Sequence, residues 1–364
     1  MQFFRSSNKA SAITRSVKRF LSPEGSPRGA AADAERHEDR LETPGYAQRR
    51  LSEQRQLLKS KRGELSRMRT ELRGTKDPVE NAKLKRKKKK VEQEIFQLKI
   101  ELRAAEEGVT GGPQTGALPD FAIIGVGKGG TTFLYHLLTR HPYVEPAAAK
   151  EPHFFDNLAE QDIEWYRQCF PTPRWKDGRR TITGEASPCL ASRVAPERMA
   201  KVVPQARLIA LLRNPVDRAY SRYHQAVRRG YETRTFEEAV EAEKAQLLGS
   251  SREGYDFDVG GGAFSYLYMG LYADHLKCWW EFFDKEQILV LKSEEFFEHP
   301  VDTLKVVLAF LDLPEWEPEA TELQRKRNTR KYEKMDPAVR RRLEEYFEAH
   351  NRRLYDYLGV DLGW

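Results

Sequence analysis

The sequence predicts an α/β protein: a parallel sheet flanked by helices, preceded by an N-terminal helical hairpin or coiled coil. Three patterns in its 364 residues carry that prediction. Beyond residue 118, short β-type runs (121–126, 181–184, 207–212, 287–291) alternate with amphipathic helical ones such as 236–248 and 301–311. The first run, Phe121-Ala-Ile-Ile-Gly-Val126, breaks into Gly-Lys-Gly-Gly and reopens at Thr131-Thr132 as an amphipathic stretch, the strand, loop, helix order of a P-loop-type sheet. Before residue 107, leucines recur at intervals of seven. Alternation of this kind puts helices on both faces of a parallel sheet and ligand loops at the strand C-termini.

From the N-terminus, residues 1–46 are rich in Ser, Arg, Ala, Gly and Pro with little apolar periodicity, and read as a disordered basic tail. Residues 47–107 turn helical. Leu51, Leu58, Leu65 and Leu72, with Met68 between them, form one stripe; Leu84, Val91, Ile95, Leu98 and Leu102 form a second after the helix-ending Gly74-Thr-Lys-Asp-Pro78. Such a seam can close within one chain, as an antiparallel hairpin, or between chains, as a homodimer through residues 47–107. The run Lys83 to Lys90 reads as a solvated face of this element, and no nucleic-acid partner is expected. Residues 108–117 form a linker, and 118–364 are ample for one α/β core.

Charge divides at the same place. Residues 1–117 hold 27 Lys and Arg against 16 Asp and Glu, and the remainder holds 35 against 39. The basic excess is all N-terminal, so the overall charge says nothing of the α/β domain's partners. No run approaches the ~18 apolar residues that span a bilayer, and no transmembrane segment is expected. Cys169, Cys189 and Cys278 are spaced too widely for a metal set or a disulfide framework. These features predict a cytoplasmic protein. An organellar destination is the alternative, because Arg5, Lys9, Arg15, Lys18 and Arg19 precede the first acid in the manner of a transit segment.

The glycine loop carries the chemistry. Its glycines let backbone N–H groups approach a tetrahedral anion, Lys128 adds a mobile charge, and the helix that follows offers its positive end. The spacing is not that of a nucleotide triphosphatase: Gly127-Lys128 is followed by Gly129 instead of Ser or Thr, and Ala122 stands where the first glycine belongs. The second strand, Arg207 to Leu212, is followed by Arg213 where a magnesium-holding Asp would be needed. An arginine there binds an anion and repels a metal, so no metal is expected.

Lys128-Gly-Gly-Thr-Thr-Phe-Leu134 resembles the 5′-phosphosulfate loop of sulfotransferases that use 3′-phosphoadenosine 5′-phosphosulfate (PAPS). Leu212-Arg-Asn-Pro-Val-Asp-Arg-Ala-Tyr-Ser-Arg-Tyr223 is similar to their 3′-phosphate segment, and Lys150-Glu-Pro-His-Phe-Phe-Asp156, Gly184-Glu-Ala-Ser-Pro188 and Asn351-Arg-Arg-Leu-Tyr-Asp-Tyr-Leu-Gly359 agree in order. The resemblance spans residues 118–364 and is nearest the heparan sulfate N-/3-O-sulfotransferase branch and its bacterial relatives. It implies PAPS as co-substrate, with Lys128, Gly129, Gly130, Thr131 and Thr132 at the 5′-phosphosulfate and Arg213 and Ser221 at the 3′-phosphate. Asn328, Arg330 and Lys331, in the basic stretch Arg325 to Lys331, are further candidates for that phosphate, or a solvated loop.

By the same resemblance Lys128 stabilises the leaving oxygen and Glu151 is the catalytic base. An ion pair with Lys150 is the bland alternative for Glu151, and His153 is the rival base. Asp156 orients the acceptor or caps the following helix. Departures bear on the acceptor: Thr132 stands where the branch often has Arg, and Glu185-Ala-Ser-Pro188 lacks the lysine that helps hold an acidic sugar chain. A neutral glycan, a glycolipid or a small hydroxylated metabolite is therefore expected as acceptor. The competing readings are a P-loop kinase or GTPase-like protein and a non-catalytic coiled-coil adaptor.

Overall fold

A computed structural model of the chain describes residues 44–75, 77–106, 116–148, 150–156, 161–249, 265–324 and 332–364. The chain divides at residue 53; the described part of the first unit is the opening of the helix Pro44–Gly74, and the second unit, 54–364, holds everything below. The tail up to residue 43, most of the linker and the basic stretch 325–331 lie outside the described residues, while residues 44–46, expected in the tail, already belong to the helix.

The helices Pro44–Gly74 and Pro78–Glu106 meet along the leucine seam within one chain. Leu58, Leu65, Met68, Val91 and Ile95 are buried together, with Leu98 and Leu102 packed beside them. Pairs such as Lys61–Glu94 (2.7 Å) and Arg69–Glu92 (3.3 Å) line the edges. Being exposed, they are screened by solvent and add little, so the seam holds the two helices together. The second helix also reaches the α/β core. Ile100 is buried there, Phe96 lies 4.9 Å from Trp165 ring to ring, and Lys88 Nζ donates to the Tyr231 hydroxyl at 2.8 Å.

Five parallel strands form the main sheet: β1 (Phe121–Gly125), β2 (Val144–Pro146), β5 (Ile182–Glu185), β6 (Arg207–Leu212) and β7 (Ile288–Lys292), in the order β2-β5-β1-β6-β7. β3 (Trp175–Lys176) and β4 (Arg179–Arg180) make a separate antiparallel ribbon. Alternate residues of the central strands enter opposite cores, as a strand covered on both faces requires. Ala122, Ile124, Leu208 and Ala210 face one cluster, built around Trp279 and Tyr166; Phe121, Ile123, Ile209 and Leu211 face the other, with Leu134, Leu304 and Val307. The aromatic segment 279–283 belongs to the first, and the Trp279 indole N–H donates to the Leu190 carbonyl at 2.9 Å.

Candidate active site

Beyond β1 the chain turns across the C-terminal end of β6. The Val126 N–H donates to the Leu211 carbonyl (2.8 Å), the Gly129 N–H to the Val126 carbonyl (2.9 Å), and the Ser293 hydroxyl to the Gly129 carbonyl (2.6 Å). Glycine is required at two positions. A Cβ on Gly129 would sit 2.4 Å from the Leu211 oxygen, and Gly130, at φ +103°, is left-handed and pressed against Phe297. Gly130 is also the N-cap of the helix Thr131–Leu138 and supplies no side-chain acceptor. The positive helix end is thus left facing a cleft.

That cleft encloses about 1050 Å³. One wall is cationic. Arg213 follows β6, Asn214 caps the next helix by accepting from the Val216 and Asp217 N–H groups, and the helix Pro215–Arg228 carries Arg218, Ser221 and Arg222 along the cleft, with Arg229 just past its end. Lys128 extends toward this set. Burial first, and then repulsion from Arg228, Arg222, Arg213 and Arg229, pulls its ammonium pKa down to about 8.

The opposite wall is a set of paired charges. His153 Nδ1 lies 2.9 Å from Asp156 Oδ2, His153 Nε2 is 3.8 Å from Glu151 Oε2, and Lys150 contacts the other Glu151 oxygen. Burial opposes the charging of His153, but its bonds to Asp156 and Glu151 prevail and hold the imidazole pKa at about 10. Burial likewise opposes ionisation of Glu151, and the His153 bond and the Lys150 charge outweigh it, bringing the carboxyl to about 2. Beneath them the buried Glu185 accepts from Tyr166 and Ser187, each at 2.5 Å, while Ser187 Oγ takes the His153 N–H at 3.0 Å. Burial raises Glu185 to about 7 despite those bonds.

Lys128, Gly130, Thr131, Thr132, Glu151, His153, Asp156, Arg213 and Ser221, all expected from the sequence, line this one cleft. Gly129 is in the loop but packs against β6. Asn328, Arg330 and Lys331 lie outside the described residues. Sequence reasoning passed over Arg218, Arg222, Arg228 and Arg229. Their spacing along one helix from Ser221 was the available signal, and it reads equally as a solvated face. Among the described residues no group of three or more His, Cys, Asp or Glu could hold a metal ion.

A family model described as a sulfotransferase domain matches residues 118–354. The chain is similar to human heparan sulfate glucosamine 3-O-sulfotransferase 6, with 33% identity covering 70% of this chain and 75% of that protein. It is similar to human heparan sulfate glucosamine 3-O-sulfotransferase 3B1 at 32%, covering 68% and 65%. With the membrane-associated sulfotransferase kil1 of Dictyostelium discoideum it shares 26%, covering 68% and 66%. A sulfotransferase from Alicyclobacillus acidocaldarius has a similar structure, with TM-score 0.55, 30% identity, and coverage of 68% of this chain and 98% of that one.

These relatives overturn the cytoplasmic expectation: one is named membrane-associated and others act on heparan sulfate, which points away from the cytoplasm. The expectation leaned on features that do not report a compartment. No described helix is long and apolar enough to cross a membrane, and Cys169 and Cys189 pack in the core as small apolar groups and form no disulfide among the described residues. With the loop, the arginine after β6 and the acid-bearing segment all inside the matched span, the chain belongs to the sulfotransferase family and is an enzyme of that kind.

Proposed function

We propose that the protein transfers the sulfuryl group of PAPS to a carbohydrate hydroxyl. The observation that carries this reading is the cationic wall, where burial first, and then repulsion from the arginines gathered around it, bring Lys128 to about 8. A multiply charged anion relieves that repulsion. The chain's residues fit PAPS on the same ground: the glycines let the loop turn tightly over the end of β6, and the helix end behind it lines the cleft uncapped by a side chain. Lys128, Thr131, Thr132 and the loop amides would hold the 5′-phosphosulfate, and Arg213 and Ser221 the 3′-phosphate. When bound, PAPS supplies the sulfuryl group.

Transfer breaks the bond from sulfur to the phosphate oxygen and forms one to the acceptor oxygen. Lys128 neutralises the charge that grows on the departing oxygen. Glu151 takes the hydroxyl proton. His153 is unsuited to that task at neutral pH, because its proton is held up to about 10; it and Lys150 orient the Glu151 carboxylate instead. An anion brought into the same cleft raises the basicity of Glu151 from its low resting value. Asp156 holds the imidazole.

The carbohydrate acceptor follows from the relatives named for heparan sulfate. Arg222, Arg228 and Arg229, beyond the residues assigned to the cofactor, favour an acidic saccharide over the neutral one expected from the sequence. The test is transfer of labelled sulfate from PAPS to heparan sulfate by the full-length protein. Lys128→Ala is expected to lower turnover by about a hundredfold or more, and a variant keeping over roughly a tenth of wild-type turnover would remove Lys128 from the leaving group.

A further inference from the structure

Arg218 stands between Arg213 and Ser221 on the helix Pro215–Arg228 and lies directly under the cleft, with 0% of its surface exposed. Its Nη2 donates to the Tyr266 carbonyl, and its Nε and Nη1 have no hydrogen-bond partner among the described residues. None of the described carboxylates pairs with it. The acid that favours its charge, Glu243, is engaged elsewhere: it accepts from the N–H groups of Tyr266 (2.5 Å), Leu267 (2.8 Å) and Tyr268 (3.1 Å) and from the Ser265 hydroxyl (3.1 Å). Burial most of all, and the nearby Arg213 cation in addition, disfavour the charge on Arg218, while Tyr272 and Glu243 favour it. A guanidinium cannot release its proton in a protein, so the charge remains.

Tyr272 links this residue to the cleft. Its hydroxyl donates to the Arg213 carbonyl at 2.7 Å, and it is itself buried beside Arg218. The Arg213 turn is therefore held by a tyrosine whose oxygen faces a buried cation.

We propose that Arg218 is a positioning residue for the cofactor's 3′-phosphate: it steadies the Tyr272–Arg213 turn and supplies a buried positive charge that no described ion pair answers and that a bound anion compensates. The proposal rests on the reading of the cleft as a PAPS site. In the free protein such a charge is a liability to the fold; with the phosphate in place it becomes a source of affinity and of preference for nucleotides that carry a 3′-phosphate.

The test uses the full-length protein and two nucleotides, 3′-phosphoadenosine 5′-phosphate and adenosine 5′-phosphosulfate, which lacks the 3′-phosphate. Binding is followed by calorimetry and melting in the absence of nucleotide. Arg218→Met, of similar volume and no charge, is expected to melt at or above the wild-type temperature, to bind the 3′-phosphorylated nucleotide on the order of tenfold more weakly, and to bind the other within about twofold of wild type. A melting temperature that falls together with equal losses for both nucleotides shows a merely structural residue and overturns the proposal. Should the methionine variant not fold, the proposal is likewise overturned unless Tyr272→Phe, which keeps the ring, loses affinity selectively for the 3′-phosphorylated nucleotide. Wild-type protein that binds neither nucleotide would bring down the PAPS reading itself, whereas wild-type binding with no selective loss in the variants brings down Arg218 alone.

Discussion

The two walls of the cleft are both rich in charge and differ in what satisfies it. On one side Glu151, His153, Asp156 and Lys150 answer one another at short range, each carboxylate with a cation beside it. On the other Lys128 faces Arg213, Arg222, Arg228 and Arg229, all of its own sign. A self-compensated wall is preorganised in the free protein and changes little when an acceptor arrives. A like-charged wall gains stability when an anion enters. On the proposed reading, the difference sorts the ligands: a neutral hydroxyl suits the first side, a phosphate or sulfate ester the second.

The sharpest way to break this comparison is to neutralise one wall and read the other. Glu151→Gln keeps the shape and removes the base, and turnover is expected to fall by about 10²–10⁴ with binding of 3′-phosphoadenosine 5′-phosphate unchanged in calorimetry. If affinity falls in parallel, the walls are one electrostatic unit and the distinction is void. On the cationic side, Arg213→Ala should cost roughly 1.5–3 kcal/mol of affinity for that nucleotide and Ser221→Ala roughly 0.5–1.5. Both variants should bind adenosine 5′-phosphosulfate as wild type does. Equal losses for the two nucleotides would place these residues elsewhere. Chelating divalent metal ions with EDTA should leave the transfer rate unchanged, since Arg213 occupies the place where a metal-holding acid would stand; a rate that requires added magnesium would revive a kinase-like reading.

Proton linkage separates the walls more finely. A bound anion should return Lys128 toward its ordinary pKa from about 8, so binding at pH 8 takes up about half a proton per site. Calorimetry in two buffers of different ionisation enthalpy measures it, and no uptake would mean that Lys128 does not meet the anion. The smallest effect is on stability. His153 has a raised pKa, so its contribution is complete below its ordinary value near 6.5 and is lost as pH rises through about 10. Glu151 has a depressed pKa, so its contribution is present above its ordinary value near 4.5 and is lost as pH falls toward about 2. The melting difference between wild type and His153→Asn should thus be largest between pH 4.5 and 6.5 and vanish by about pH 10. A difference that persists undiminished at pH 10 would show that packing, not charge, sets the role of His153.

The strands and the anion loop were legible because each obeys a local rule. Apolar runs covered on both faces give β1, β6 and β7, and a glycine loop before a helix marks its own position. β2 was not legible: three residues ending in Pro146 carry no periodicity, and its pairing with β5 is set by tertiary contact. Arg218, Arg222, Arg228 and Arg229 escaped for a related reason, since a row of arginines on an amphipathic helix announces solvent until the fold turns it toward a cleft. The leucine stripes predicted a seam but allowed it to close within or between chains. Turn geometry and the placement of Val91 and Ile95 against Leu58 and Leu65 decide the described arrangement, and neither is written in a heptad.

The contact of Phe96 with Trp165 has a practical consequence. Trp165 lies 6.4 Å, ring to ring, from Phe154, the residue after His153, so one indole touches both the N-terminal helical hairpin and the segment that carries the acid wall. Its fluorescence is therefore a built-in optical reporter. Loosening the hairpin would let water reach the ring and shift its emission to longer wavelength, and Phe96→Ala supplies the reference spectrum. Trp175, 76% exposed on the β3–β4 ribbon, already emits from water, and with Trp279, Trp280, Trp316 and Trp364 it adds a background that the difference from Phe96→Ala removes. The attachment of the helical hairpin can thus be watched by light while turnover is measured in the same cuvette.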